Sequence, residues 1–227
     1  MPIKKLKIRH FFSPYFLDEY SIYKAIKSRA SFLWWTILDI WCRNKPYINF
    51  FKCKKYLWLD IVHWKDVDIV ASATSIPLDD SSIDSIFSTQ VITDIYDIDN
   101  FFLELKRVLK NGWTIFFTTE FICGKNDIPH DYYRFTDYFL KKKLIEYWFK
   151  NISIQPTSDN FYTAGYTFNL AIWKVYIKYS KNIIWKLIFP FIILIISITN
   201  IKSLLFSMIL PKNNDLTLWF SVLANKK

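Results

Sequence analysis

Short runs rich in β-branched and aromatic residues alternate with helical segments along this chain, and that alternation most narrows its fold. The runs are TILDI (36–40), YLWLDI (56–61), VDIVAS (67–72), DSIFST (84–89) and WTIFFTTE (113–120). Between the last two, DIDNFFLELKRVLKNG puts Phe102, Leu105 and Leu109 at helical spacing, with Asp99 or Asn100 able to cap the start and Gly112 at the end. Strands interleaved with helices predict a mostly parallel sheet covered by helices, an α/β doubly wound domain.

The flanks fit the same plan. SPYFLDEYSIYKAIKSRASFL (13–33) predicts an N-terminal helix with Ser13 as its cap and Pro14 at the first helical position. After HDYYRFT a further helix is expected, capped by Thr136 and presenting Leu140, Leu144 and Tyr147 on one face. NISIQP (151–156) reads as a strand, and DLTLWFSVLANKK as one more at the end.

Composition bounds the function classes. A chain of 227 residues, 52% hydrophobic, can bury a full core and suits one elaborated domain. The net charge of +10 comes from 25 Lys and 5 Arg spread along the sequence, which favours attraction to anionic surfaces over a dedicated nucleic-acid reader. No aromatic-basic sheet signature and no zinc-finger spacing occurs, so no nucleic-acid partner is expected. Cys42, Cys53 and Cys123 are odd in number and far apart, which gives neither a disulfide framework nor a metal site and suggests a reducing compartment. The basic start MPIKKLKIRHFF is not followed by an apolar run of signal-peptide length before Pro14.

One anomaly stands out. Average usage of about 7% predicts roughly 16 glycines, and the chain has 3, alongside 10 tryptophans.

The first strand with its acidic residue, then LDIVHWKDVDIVASATSIPLDDSSIDSIFSTQVITDIYD, ELKRVLKNGW and PHDYYRFT, resembles class I S-adenosylmethionine-dependent methyltransferases of the type 11 kind, from about Thr36 to Phe161 and again from Leu216 to Lys227. The resemblance implies a Rossmann-like seven-stranded sheet and S-adenosyl-L-methionine as cofactor. In that family the first strand is followed by a glycine-rich loop, whereas here it reads Trp41, Cys42, Arg43, Asn44, Lys45, Pro46, Tyr47. Trp41, Trp58, Trp64, Trp113, Trp148 and Trp219 stand at family glycine positions, and Trp34 or Trp35 fits the same description. An L-residue in left-handed backbone costs roughly 1 to 2 kcal/mol before any clash. Translating UGA as Trp in a lineage that reads it as Gly would produce this exchange, and the Lys, Ile, Asn and Phe richness suits an AT-rich genome. The competing reading is a decayed, non-catalytic methyltransferase-like binding or scaffold protein. The translation reading leaves Arg43 unexplained, since UGA does not give Arg.

The resemblance implies the cofactor residues. Asp39 would support the loop and the methionine amine, or serve only as a capping carboxylate. Asp60 ends the second strand 21 residues later, a spacing that sets a carboxylate beside ribose hydroxyls, or leaves a solvated strand end. Trp41 and Arg43 occupy the loop. Ser72 stands where an acidic residue usually meets the adenine amine, with Ala73 offering its amide. Thr89 and Gln90 follow the fourth strand at the carboxyl edge. For the acceptor, His130, Asp131 and Tyr132 in PHDYYRFT are the candidate catalytic residues, or members of a structural loop.

Tyr162 to Leu210 is dominated by Ile, Leu, Phe and Tyr. Leu187 to Ile201 carries no charge, is interrupted by Pro190 and is edged by Lys186 and Lys202. A helix of that length, about 22 Å, falls short of a hydrocarbon core of about 30 Å. One span would also separate the last strand from its sheet, so a monotopic or re-entrant hairpin with 203–210 as its second arm is expected, or else a cover over the sheet. The expected layout is a helical segment (1–35), a methyltransferase domain (36–161 and 213–227) and an apolar insertion (162–212). The expected activity is methyl transfer to a small-molecule or lipid-linked acceptor, in the cytoplasm or at the cytoplasmic face of a membrane.

Overall fold

The computed structural model describes residues 11–41 and 45–227. Seven strands form one sheet: β1 (Trp34–Ile40), β2 (Lys52–Asp60), β3 (Ile69–Val70), β4 (Ile83–Thr89), β5 (Leu109–Glu120), β6 (Phe149–Pro156) and β7 (Trp219–Lys226). Their order is β3-β2-β1-β4-β5-β7-β6. The first five are mutually parallel, and β7 runs antiparallel between β5 and β6. The strand order reverses between β1 and β4, which opens a crevice at the carboxyl ends of those strands.

Strand alternation splits the core into two layers. Leu38, Ile86, Ile115 and Phe117 face α2 (Ile98–Val108) and α3 (Asp137–Glu146), where Phe101, Phe102, Leu105, Leu140 and Leu144 are buried. Ile37, Phe87 and Phe116 face α1 (Phe16–Arg29) with its Leu17, Ile22 and Ile26. Asp18 and Glu19 in the first turn of α1 and Lys27 and Arg29 in its last match the helix dipole. Thr136 caps α3, accepting from the Phe139 N–H at 3.2 Å, as its position in the sequence suggests.

Several boundaries differ from the sequence reading. Helix α1 begins at Phe16 rather than at Pro14, and the Ser13 hydroxyl accepts from Tyr15 N–H at 3.1 Å. Asp97, not Asp99 or Asn100, caps α2, because its side chain meets the Asn100 N–H at 3.1 Å. Gly112 does not end that helix, which stops at Val108; at φ 81° it absorbs the irregular register by which β5 joins β4. The run VDIVAS yields only a two-residue edge strand.

The apolar segment forms two packed helices, α4 (Asn160–Tyr179) and α5 (Ile183–Ile209). Pro190 lies inside α5 and does not interrupt it, and residues 203–209 continue that helix instead of forming a second arm. The hairpin turn falls at residues 180–182. Both ends of the pair meet at the sheet, where Asn160 N–H donates to Asn213 C=O at 2.9 Å.

Left-handed backbone coincides with tryptophan at three places: Trp35 (φ 61°), Trp41 (φ 60°) and Trp148 (φ 69°). Trp35 sits at the register shift between β1 and β2. Trp148 follows the last residues of α3, where helices that end in this conformation favour glycine. Trp58, Trp64, Trp113 and Trp219 lack positive φ. Trp58 and Trp219 are buried in the core, and the Trp219 indole N–H donates to the Asp18 carboxylate.

Since the exposed Trp148 holds a left-handed φ with no core contact to lose, Trp148→Gly is expected to stabilise the fold by about 1 kcal/mol. Gly112→Ala should destabilise it by a similar amount. Urea unfolding of the two variants beside the parent chain measures both shifts.

Candidate functional site

A cleft of about 1120 Å³ opens at the carboxyl ends of β1, β2 and β4. Trp41, Asp60, Ser72, Thr89, Gln90, His130 and Tyr132, all singled out from the sequence, line it. Each arrives by a definable route. Trp41 turns off the end of β1, its N–H bonded to Leu59 C=O at 2.7 Å. Asp60 ends β2 and accepts from Val62 N–H at 3.0 Å, which leaves further acceptor capacity on its carboxylate. Ser72 and Thr74 share a 2.8 Å hydroxyl contact. Gln90 leaves β4 at φ 59°.

The loop bearing Ser72 and Thr74 is held from behind. Arg107 of α2 pairs with Glu104 at 2.7 Å and Asp80 at 2.8 Å, and also donates to the Ile76 and Leu78 carbonyls at 2.7 Å each. Glu104 in turn accepts from Ile76 N–H at 2.6 Å. The sequence segment ELKRVL therefore braces the cleft without entering it.

Three other expected residues lie elsewhere. Asp39 and Ala73 are fully buried and do not line the cleft; Asp39 accepts from the Tyr56 hydroxyl. Asp131 turns away to a bidentate pair with Arg134, at 2.5 and 2.9 Å, and accepts from Asn126 N–H at 3.0 Å. Arg134 holds its carboxyl below the usual range. Asp131 thus shapes the loop, while His130 Nδ1 and the Tyr132 hydroxyl lie 3.1 Å apart at the cleft wall. Arg43 and Cys42 lie outside the described residues.

Sequence reasoning missed Asp94, Tyr96, Asp97, Asn126 and Asp127, which also line the cleft. The signal for Asp94 was its place in ITD directly after β4, at the carboxyl edge of the sheet. Burial pushes its carboxyl up to about 7, helped by the negative charges of Asp127 and Glu120 and opposed by the Thr93 hydroxyl. With Asp60, Asp97 and Asp127 it gives a cleft whose described lining holds four carboxylates and neither Lys nor Arg. In a chain of net charge +10 this is a local reversal of sign that favours a cationic ligand.

Two such raised carboxyls fix a pH dependence. Asp94 and the buried Asp18, also pushed to about 7 by desolvation, bind protons more tightly in the folded chain than unfolded. Their contribution to stability is present near pH 4 and is lost as pH rises through 7. Asp68, Asp99 and Glu104 are shifted down, so they titrate at lower pH. Stability from urea unfolding should therefore be lower at pH 8 than at pH 5, and Asp94→Asn and Asp18→Asn should each reduce that difference.

Residues 53–117 match a family described as "Methyltransferase domain". Among solved structures, Haemonchus contortus phosphoethanolamine N-methyltransferase 2, in complex with phosphomonomethylethanolamine and S-adenosylhomocysteine, is 15% identical, with a TM-score of 0.54, over 97% of this chain and 60% of its own. The chain thus spans about 60% of the length of that enzyme. A SAM-dependent methyltransferase from Archaeoglobus fulgidus is 11% identical over 92% of this chain and 94% of its own, with a TM-score of 0.56. The [4+2]-cyclase SpnF also scores 0.56, at 14% identity over 92% of this chain and 80% of its own. Comparison with curated proteins gave no match. At these identities the likeness to solved structures establishes the fold and not the reaction. The chain therefore carries a domain matching the methyltransferase family over residues 53–117, within the seven-stranded fold of class I S-adenosylmethionine-dependent methyltransferases.

Proposed function

We propose that this chain is an S-adenosylmethionine-dependent methyltransferase whose acceptor is a small or lipid-linked molecule at a membrane surface. The observation that carries the reading is the cleft at the strand-order reversal, with Asp60 on its lip and a family match running through β2, β4 and β5. Its volume suffices for a cofactor together with an acceptor, since single ligand sites span about 300–1,000 Å³. Asp60 would accept from the ribose hydroxyls, Ser72 and Thr74 would meet the adenine side, and the acidic lining suits a sulfonium cation. Bound there, the cofactor supplies a methyl group already electrophilic, so the residues need chiefly to position and desolvate the acceptor. His130 and Tyr132 are placed to orient an acceptor from the wall, and Asp94 could take a proton from one that arrives protonated.

The second element of the proposal is that several tryptophans are glycine in the protein made by its own host. Its support is the left-handed backbone at Trp35, Trp41 and Trp148, which Gly adopts without steric cost. The buried indole nitrogens of Trp41 and Trp58 also lack a hydrogen-bond partner among the described residues, an arrangement worth about 1–3 kcal/mol of lost stability each. The alternative reading is that the tryptophans are genuine and the chain is a non-catalytic methyltransferase-like binding or scaffold protein anchored to the membrane, for which Trp41 in the cleft is the support.

Calorimetric titration with S-adenosylmethionine separates the two. The literal chain is expected to bind weakly or not at all. Joint Trp41→Gly, Trp58→Gly and Trp113→Gly substitution should restore binding, and Asp60→Ala in that background should weaken it by about 1 to 3 kcal/mol. Failure of the repaired chain to bind would remove the enzyme reading, and equal binding by the Asp60→Ala form would remove Asp60 from the site. Sequencing the coding DNA tests the codon reading directly: UGG at these positions would overturn it.

A further inference from the structure

Helix α5 is built with its polarity reversed. On a water-soluble domain the apolar stripe of a helix faces inward and the polar face outward. In α5 the buried residues are Ile192, Ile196, Ser197, Asn200, Ser203 and Ser207, of which four are polar. Large apolar side chains point out instead, among them Leu187, Phe191, Leu194, Ile198, Leu205 and Phe206.

The inward polar groups are used for helix packing. Asn200 accepts from Asn169 Nδ2 of α4 at 2.9 Å and donates to the Phe11 carbonyl at 2.7 Å, while the Ser207 hydroxyl donates to Asp159. Gly165 of α4 lies so close to Ser203 that a Cβ there would stand 2.0 Å from its hydroxyl oxygen. Close approach at small residues, with side-chain hydrogen bonds between helices, is how helices associate in lipid. At 27 residues α5 is long and apolar enough to cross a membrane.

Its setting argues against crossing. Tyr162 and Tyr166 anchor α4 in the core beside α1, and Leu170 and Lys174 lie against Gly124. Helix α5 is packed on α4, and its far end is tied to the start of α4 through Ser207 and Asp159. Exposed Lys178, Lys181 and Lys186 surround the hairpin turn, and Lys202 is exposed on α5 itself. Charges at a bilayer centre are costly, whereas lysines at headgroup level attract anionic lipid.

We propose that α5 docks along the surface of an anionic lipid bilayer without spanning it, its outward apolar face at the acyl boundary and Lys178, Lys181, Lys186 and Lys202 at the headgroups. This deepens the membrane element of the function proposed above and is independent of cofactor binding. Gly124, on which α4 leans, precedes the cleft-lining residues Asn126, Asp127 and Ile128, so the docked hairpin and the cleft share one loop.

The test is cosedimentation of the full chain with vesicles, in the absence of cofactor and acceptor. Vesicles of an equal mixture of phosphatidylcholine and phosphatidylglycerol should bind at least about tenfold more tightly than phosphatidylcholine alone. Joint Leu194→Ser, Ile198→Ser and Leu205→Ser substitution alters only outward positions and should abolish binding with an unchanged circular dichroism spectrum. If that variant misfolds, joint Lys178→Gln, Lys181→Gln and Lys186→Gln substitution decides, and should remove the preference for anionic vesicles. Alkaline carbonate should release the bound protein. Equal binding to both vesicle types, binding unaffected by the serine or glutamine substitutions, or resistance to carbonate would overturn the proposal. So would a stable dimer that the serine variant dissociates and that ignores vesicles. A failed cofactor titration leaves this result standing, and a failed vesicle assay leaves the cofactor reading standing.

Discussion

Left-handed backbone at the ends of strands is the constraint on which both sheet and cleft depend. Eight described residues other than glycine adopt it, together with Gly112, and most stand where the chain joins or leaves a strand: Trp35 and Trp41 about β1, Ser81 and Gln90 about β4, Trp148 before β6. Trp41 and Gln90 both line the cleft. The cleft exists because β1 and β4, adjacent in the sheet, each turn sharply at the carboxyl end, in directions that an L-residue enters only at a cost. A chain with three glycines must place other residues there, and where the residue is tryptophan the strain and the bulk of the indole act together.

Much of the scaffold was legible because its signals are local. Short β-branched and aromatic runs marked the strands, Thr136 marked a helix start, and the acidic residues at 39 and 60 marked the ends of two neighbouring strands. What the sequence hid depends on how the folded loops orient their side chains, which spacing alone does not reveal. Asp131 reads as a catalytic candidate until Arg134 is seen to engage both its oxygens. Asp94 looks like a loop residue until burial and the neighbouring carboxylates raise its proton affinity. Pro190 and Lys202 suggested breaks in the apolar segment, but α5 runs through both, with Asn182 capping its start by accepting from Ile184 N–H at 2.9 Å.

The two halves of the molecule solve burial in opposite senses. Around the sheet, aromatic and aliphatic side chains turn inward and form two dense layers. Along α5 most of the inward positions are taken by serines and an asparagine, beside Ile192 and Ile196, and most of the aliphatic surface faces out. The junction between these regimes is polar: Ser158 accepts from Leu218 N–H at 2.8 Å, and Thr163 donates to Leu216 C=O at 2.9 Å. Those bonds close the base of the hairpin where β6 leaves and β7 returns, so the insertion adds to the sheet without disturbing its pairing.

The position of β7 also orders events during synthesis. The strand is made after the hairpin, yet it lies between β5 and β6. Until it is in place, β5 presents a free edge and β6 has no neighbour in the sheet. Unpaired edges and exposed apolar surface in a partly made chain invite aggregation. Insertion of β7 pairs β5 and β6 at once, so the sheet is completed only by the last of its strands to be made.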